Sequence, residues 1–202
     1  MNRYKPTDLE RIINAHYQSH GIYNAASMCI ERIAESFGID VEYYDGPSLA
    51  DWQDGPGGYR LILLDKRLAE PERRAEFFHE LTHPLRHCGS QEDLPDSFVE
   101  LQEIQAGQFQ LAAALPVYML HDFPNVLATD YGKAIAEEFC LPLTLVMRRL
   151  EQIHNRILDG EMLKRTRRFR VPHDIDITKP HVLQTIQDLR AIQRKKNGVI
   201  QP

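Results

Sequence analysis

Two histidines four residues apart, His79 and His83, enclose Glu80, and this spacing constrains the chain more tightly than any other feature of its 202 residues. In an α-helix, positions i and i+4 lie on one face with side chains about 5–6 Å apart, so one metal ion can take both imidazoles. Glu80 is rotated roughly 100° from His79, too far round for comfortable ligation but able to reach a water held by the metal. Ligand and base have to be different residues, because zinc lowers the pKa of its water to about 7 while a free carboxylate accepts the proton. The stretch therefore predicts a helix over residues 72–87 that carries a hydrolytic metal site. A bare H-E-x-x-H match arises by chance in on the order of one chain in a hundred of this length, so the flanking residues carry weight. Pro71 suits the first helical position, Glu70, Glu72 and Glu76 suit the positive helix end, and Phe77, Phe78, Leu81 and Leu85 supply apolar contacts.

A catalytic zinc ion usually has three protein ligands and one open position, so a third ligand is needed. Glu103 is the choice, twenty residues beyond His83 on a second helix from Ser97 to Leu115. A capping box of Ser97 and Glu100 opens that helix and Pro116 stops it. A loop around Gly89 to Pro95 would let the two helices pack side by side and bring the carboxylate to the imidazoles. Glu100, one turn earlier, competes for the role, and so does His87. A third ligand at His87 would stand about 12 Å along the axis from His79, out of one ion's reach unless the helix ends first.

His79-Glu80-Leu81-x-His83, followed by Glu103-x-x-Ala106-x-x-Phe109 and then Ala113-Ala114-Leu115-Pro116, resembles the ImmA/IrrE family of bacterial metallopeptidases. The separation of the second histidine from Glu103 is also similar to that of thermolysin-like gluzincins. The resemblance implies one zinc ion per chain, held by His79, His83 and Glu103, with Glu80 as the base of peptide-bond hydrolysis. It further implies a substrate class: helix-turn-helix transcriptional repressors of mobile elements or stress loci, cut to switch genes on. Two departures stand out. Gly107 occupies a position where the family often has Asn, so no side chain there orients a ligand histidine. Pro84 removes a backbone N–H that would bond the Glu80 carbonyl, so the helix is expected to bend or end near it.

The expected fold class is α+β and mainly helical, with a small β-sheet packed on the H-E-x-x-H helix and on the following Glu-bearing helix. A helix-turn-helix-like lobe comes next. The expected division is an N-terminal helix (1–21), a metallopeptidase core (22–124), the helical lobe (125–160) and a basic tail with a final helix (161–202). Thr7-Asp8-Leu9-Glu10 reads as a capping box for a first helix to about Ser19, with His16 and His20 on its surface. A second helix is expected from about Asn24 to Phe37, with Ala26, Cys29, Ile30, Ile33 and Ala34 on one face and Gly38 ending it. Val41 to Tyr44 reads as a strand, Asp45 to Gly58 as a loop, and Tyr59 to Leu64 as a second strand suited to be a substrate-pairing edge. Beyond Pro116, Val117 to Pro124 reads as a connection. Helices Asp130 to Phe139 and Leu143 to Leu158 are expected to follow, with Ala134, Ile135 and Phe139 against Leu145, Val146 and Leu150. Tyr118, His121 and Tyr131 are candidates for a second oxyanion donor.

Three cysteines, Cys29, Cys88 and Cys140, form no C-x-x-C pair, and no run of eighteen apolar residues or signal peptide is present, which together suggest a cytoplasmic chain with no membrane span. Charge is uneven: residues 161–202 carry +6 and residues 1–160 carry −11. The run Lys164, Arg165, Arg167, Arg168 and Arg170 could touch nucleic acid, an acidic partner or the chain's own acidic face, and a solvated or self-docking role suits it better than nucleic acid, since only Phe169 is available for stacking. Direct DNA reading by Arg148, Arg149 and Arg156 on the helix pair is a lesser expectation. A last amphipathic helix, about Pro180 to Arg194, suits packing on the body or self-association. The alternative function is a non-catalytic, zinc-containing regulator that binds a repressor or DNA through the helical lobe and basic tail. A general peptidase acting on unstructured proteins is a third possibility.

Overall fold

The chain begins with a helix whose cap is also its anchor. In a computed structural model that describes residues 4–86, 95–120 and 129–168, α1 (Asp8–Ser19) starts at Thr7 with the expected capping box. The Glu10 carboxylate accepts the Thr7 backbone N–H at 2.7 Å, and Thr7 Oγ1 accepts the Glu10 N–H at 3.2 Å. Glu10 is nevertheless buried, because its carboxylate also accepts from Tyr4 (2.5 Å), Arg149 (2.5 Å) and Arg156 (3.2 Å). A buried charge is tolerated only when paired and hydrogen-bonded, and this one is both.

A 3₁₀ turn, Ala25–Ser27, and then α2 (Ile30–Phe37) replace the single helix expected from Asn24. Asn24 and Ser27 bond each other's backbone, which closes a turn instead of propagating a helix. Cys29 is thereby the residue before α2 and is exposed, while Met28, Ile30, Ile33 and Ala34 turn inward. Gly38 ends α2 at φ +66°, a left-handed conformation that glycine adopts without steric penalty. His16 is not simply on the surface. Its ring stacks on Phe37 at 3.8 Å and bonds Ser36 at 3.1 Å, whereas His20 is exposed.

Three strands form one mixed sheet in the order β1-β3-β2: β1 (Asp40–Tyr44), β2 (Leu49–Gln53) and β3 (Tyr59–Asp65). β1 runs parallel to β3 with Asp40 opposite Leu61, and β2 antiparallel with Leu49 opposite Leu63. Two expectations are overturned here. β3 is the central strand, hydrogen-bonded on both sides and buried at Ile62 and Leu64, so it is no edge for substrate. The edges are β1 and β2, and β2 lies inside the segment expected to be loop. Gly, Pro and Asp on both sides hide its five residues, and the turn back to β3 needs them. A Cβ on Gly58 would sit 2.1 Å from the Gln53 carbonyl oxygen, which only glycine avoids.

The single helix expected over 72–87 is two: α3 (Glu70–Glu80) and α4 (Thr82–Arg86), with Leu81 between them at φ −56°, ψ −27°. Pro84 offers no N–H to the Glu80 carbonyl, so the ladder lapses one turn before it while the backbone keeps near-helical angles. α5 (Asp96–Ala114) is the second long helix, begun one residue earlier than expected. Its N-cap is Pro95, and no side-chain cap forms, so Ser97 sits inside the first turn and makes no capping box. Ala112, Ala113 and Ala114 are buried where α5 passes the core, and the hydroxyl of Tyr17 donates to the Ala113 carbonyl at 3.2 Å.

A 3₁₀ turn, Val117–Met119, follows, then α6 (Thr129–Phe139) and α7 (Leu143–Arg168), the last running further than the expected end at Leu158. Ile135 and Phe139 join Leu145, Val146 and Leu150 in the core, while Ala134 is exposed. Residues through Glu161 form one compact unit with a shared apolar core, so the fold is α+β and mainly helical. Two of the three arginines considered for DNA reading are taken: Arg149, 1% exposed, and Arg156 both bind Glu10. Arg149 also donates through Nε to the Leu115 carbonyl at 3.2 Å, capping the C-terminal end of α5. Arg148 alone of the three stays exposed. Among the described residues no helix is long and apolar enough to cross a membrane. His87, Cys88, His121, the run beyond Arg168 and the final helix expected over Pro180 to Arg194 lie outside the described residues.

Burial alone would push the Glu10 carboxyl up, but Arg149, Tyr4 and the Thr7 backbone N–H outweigh it and hold the group below the ordinary carboxylate range. A depressed folded pKa contributes stability that is complete above the unfolded value, about 4.3, and is lost as pH falls through the folded value. Acid unfolding should therefore steepen below about pH 4 in the parent and less so in Glu10→Gln. At neutral pH that variant should lose about 3–5 kcal/mol in denaturant titrations, because Arg149 is left buried beside a neutral partner. Adding Arg149→Met should recover much of the loss.

Candidate metal centre

The histidine spacing survives the helix break. His79 lies in the last turn of α3 and His83 on α4, with ring centroids 5.4 Å apart and planes at 68°. α5 packs along α3, fixed in part by Gln110, whose side-chain amide donates to the Ala75 carbonyl at 2.9 Å. The same packing brings Glu103 over the imidazoles: Oε2 is 3.2 Å from His79 Nε2, and Oε1 is 3.9 Å from His83 Nε2. Among the described residues, one group of His, Cys, Asp or Glu side chains has donor atoms close enough to share an ion. It is His79, His83 and Glu103, all within 4.8 Å of one another. Glu100 is exposed and lies outside that group.

The donor set fits a zinc ion. Ligand atoms at about 2.0–2.2 Å in tetrahedral array stand roughly 3.4 Å apart, and the two nitrogen–oxygen distances bracket that value. Two imidazoles and a carboxylate are a known catalytic zinc set, and they leave one position open. His83 is 7% exposed at its side chain, His79 27% and Glu103 43%, so the cluster is closed on the α4 side and open toward α5.

Glu80 is turned into the protein at 9% exposure, and its carboxyl is raised to about 7, first by burial and then by the negative charges of Glu76 and Glu103. A backbone hydrogen bond from Ala50 works in the opposite direction. A carboxyl held near neutrality takes up and returns a proton with little cost in either direction, as acid–base catalysis requires. Ala50 is on β2, the edge strand, and so is Trp52, whose indole stacks on His83 with centroids 6.3 Å apart and planes at 22°. Neither residue was expected at the site. The available signal was the i, i+2 spacing of Ala50 and Trp52, which puts both on one face of a strand.

Of the oxyanion candidates, Tyr118 donates its hydroxyl to the Ile22 carbonyl at 2.6 Å, a bond to the segment after α1. Tyr131 is half-buried on α6. At Gly107 a Cβ would meet nothing within 4 Å, so the position has room for the side chain that glycine lacks.

The sequence of residues 30–151 matches the family model of the IrrE N-terminal-like domain, Peptidase M78. The chain is 34% identical over 112 residues to the phage-like element PBSX protein XkdA of Bacillus subtilis strain 168, a stretch that is 55% of each protein. It is 28% identical over 120 residues to the uncharacterized protein YqaB of the same strain, covering 59% of this chain and 68% of YqaB. The chain thus spans about half the length of XkdA. With the family model covering more than half of its residues, this chain belongs to the Peptidase M78 family, whose mark is the IrrE N-terminal-like domain.

Proposed function

We propose that the protein is a zinc-dependent metallo-endopeptidase that makes a specific cut in a helix-turn-helix transcriptional repressor. The observation that carries the chemistry is the convergence of His79, His83 and Glu103 at the segment that also holds the buried Glu80. Bound to those three side chains, zinc would act as a Lewis acid toward water and the scissile carbonyl. Glu80 takes the proton from the attacking water as its oxygen bonds the carbonyl carbon, then delivers that proton to the amine nitrogen as the C–N bond breaks. The outer edge of β2 faces the site, since the Ala50 backbone reaches Glu80, and it offers main-chain groups to an extended peptide. Such pairing grips backbone with little regard to side chains, so selectivity for one protein has to come from contacts outside the cleft.

Support for the repressor is associational: family membership, and a relative named for a phage-like element, a setting in which repressor removal switches genes. The rival, a non-catalytic regulator on DNA, loses part of its basis because Arg149 and Arg156 are committed to Glu10.

Parent protein should bind zinc at one per chain, and a chelator should stop cleavage until zinc is returned. Glu80→Gln should keep zinc within about twofold of the parent yet lose cleavage by at least about a hundredfold. Glu103→Ala should lose both, with zinc affinity down by about a hundredfold or more in a competition titration. Incubation with purified helix-turn-helix repressors, followed by mass spectrometry, should give one cut. Equal turnover of casein would instead indicate a general peptidase, and salt-sensitive DNA binding without cleavage would indicate the regulator.

A further inference from the structure

Trp52 is the chain's single tryptophan, and it stands apart from the apolar core. Its side chain is half-exposed on the edge strand β2, and among the described residues its aromatic neighbour is the His83 imidazole. A large apolar side chain placed outside the core and laid nearly parallel on a ligand ring has little to do for folding. It has a direct effect on the ring it covers. Offset aromatic pairs with centroids about 4.5–7 Å apart are attractive, and turning the imidazole about χ2 would break the pair. His83 can point Nε2 at the Glu103 carboxylate only in a narrow range of that rotation.

We infer that Trp52 is a positioning residue: it holds the His83 imidazole in its metal-ligating orientation before the ion arrives. Ala50, two residues earlier on the same face of the strand, touches Glu80 through its backbone, so β2 braces two members of the motif, His83 and Glu80, from one side. This inference rests on the zinc site proposed above. A ligand ordered in advance binds metal more tightly because less freedom is lost on binding, and partners of ligating residues commonly contribute about ten- to a hundredfold in affinity.

The test measures zinc affinity by competition with a chromophoric chelator, for the parent and for Trp52→Phe, Trp52→Leu and Trp52→Ala, alongside thermal unfolding of each metal-free protein. Phe keeps an aromatic face and should stay within about threefold of the parent, whereas Leu and Ala should bind about tenfold more weakly with unfolding temperatures close to the parent's. Emission from the single tryptophan should also change as zinc saturates the parent. Leu or Ala variants that bind zinc as tightly as the parent would overturn the inference. So would affinity losses that track unfolding temperature equally across Phe, Leu and Ala. A parent that binds no zinc would fail at the earlier step and overturn the metal site itself.

Discussion

The packing of α5 along α3 is the constraint on which the site depends, because the two histidines come from one side of that contact and the carboxylate from the other. Local helical geometry sets the imidazole pair, and nothing local can supply Glu103. Its position is held at several points along α5: Gln110 bonds the Ala75 carbonyl of α3, the buried alanines let neighbouring elements approach closely, and Arg149 caps the far end. Arg149 is in turn neutralised by Glu10, so the ion pair at the start of α1 steadies the helix that carries Glu103. A buried pair of this kind adds little net stability over an apolar substitute, but it fixes geometry, since any other arrangement leaves a charge without a partner.

Around this frame the edge strand β2 gives the site its chemical character. It closes one side of the H-E-x-x-H segment, with Trp52 against His83 and the Ala50 backbone against Glu80. Enclosure removes water from Glu80 and the neighbouring carboxylates repel its charge, and both effects raise its pKa toward the range useful for proton transfer. The same strand has an outer edge that pairs with no other strand among the described residues, because β3, not β2, occupies the middle of the sheet. One short segment therefore encloses the Glu80 carboxyl, covers the His83 ring and lies on the outside of the sheet.

Much of this was legible in the residues alone, for reasons that separate local from distant causes. The capping box at Thr7, the glycine stop at Gly38, the first strand and the extent of α5 follow from propensities and periodicity within a few residues, and the structure has them within about one residue. The choice of Glu103 came from helical spacing and a short loop, which together leave few places for a third donor. What could not be read depends on contacts far apart in the chain. Arg149 looked like a surface cation because its partner lies 139 residues away. β2 looked like loop because its flanking glycines and prolines make the turns, and strand pairing with β3 overrides that composition. The break at Leu81 was foreshadowed by Pro84, though the lapse falls earlier than the proline itself, where the missing N–H would have been received.

The central claim is that these three side chains share one ion, and anomalous diffraction at the zinc edge from crystals of the zinc-loaded protein tests it most directly. We predict a single anomalous peak between α3 and α5, with a nitrogen of each of His79 and His83 and an oxygen of Glu103 at about 2.0–2.2 Å. A peak elsewhere, or a zinc ion at His79 and His83 whose third protein ligand is not Glu103, would contradict it.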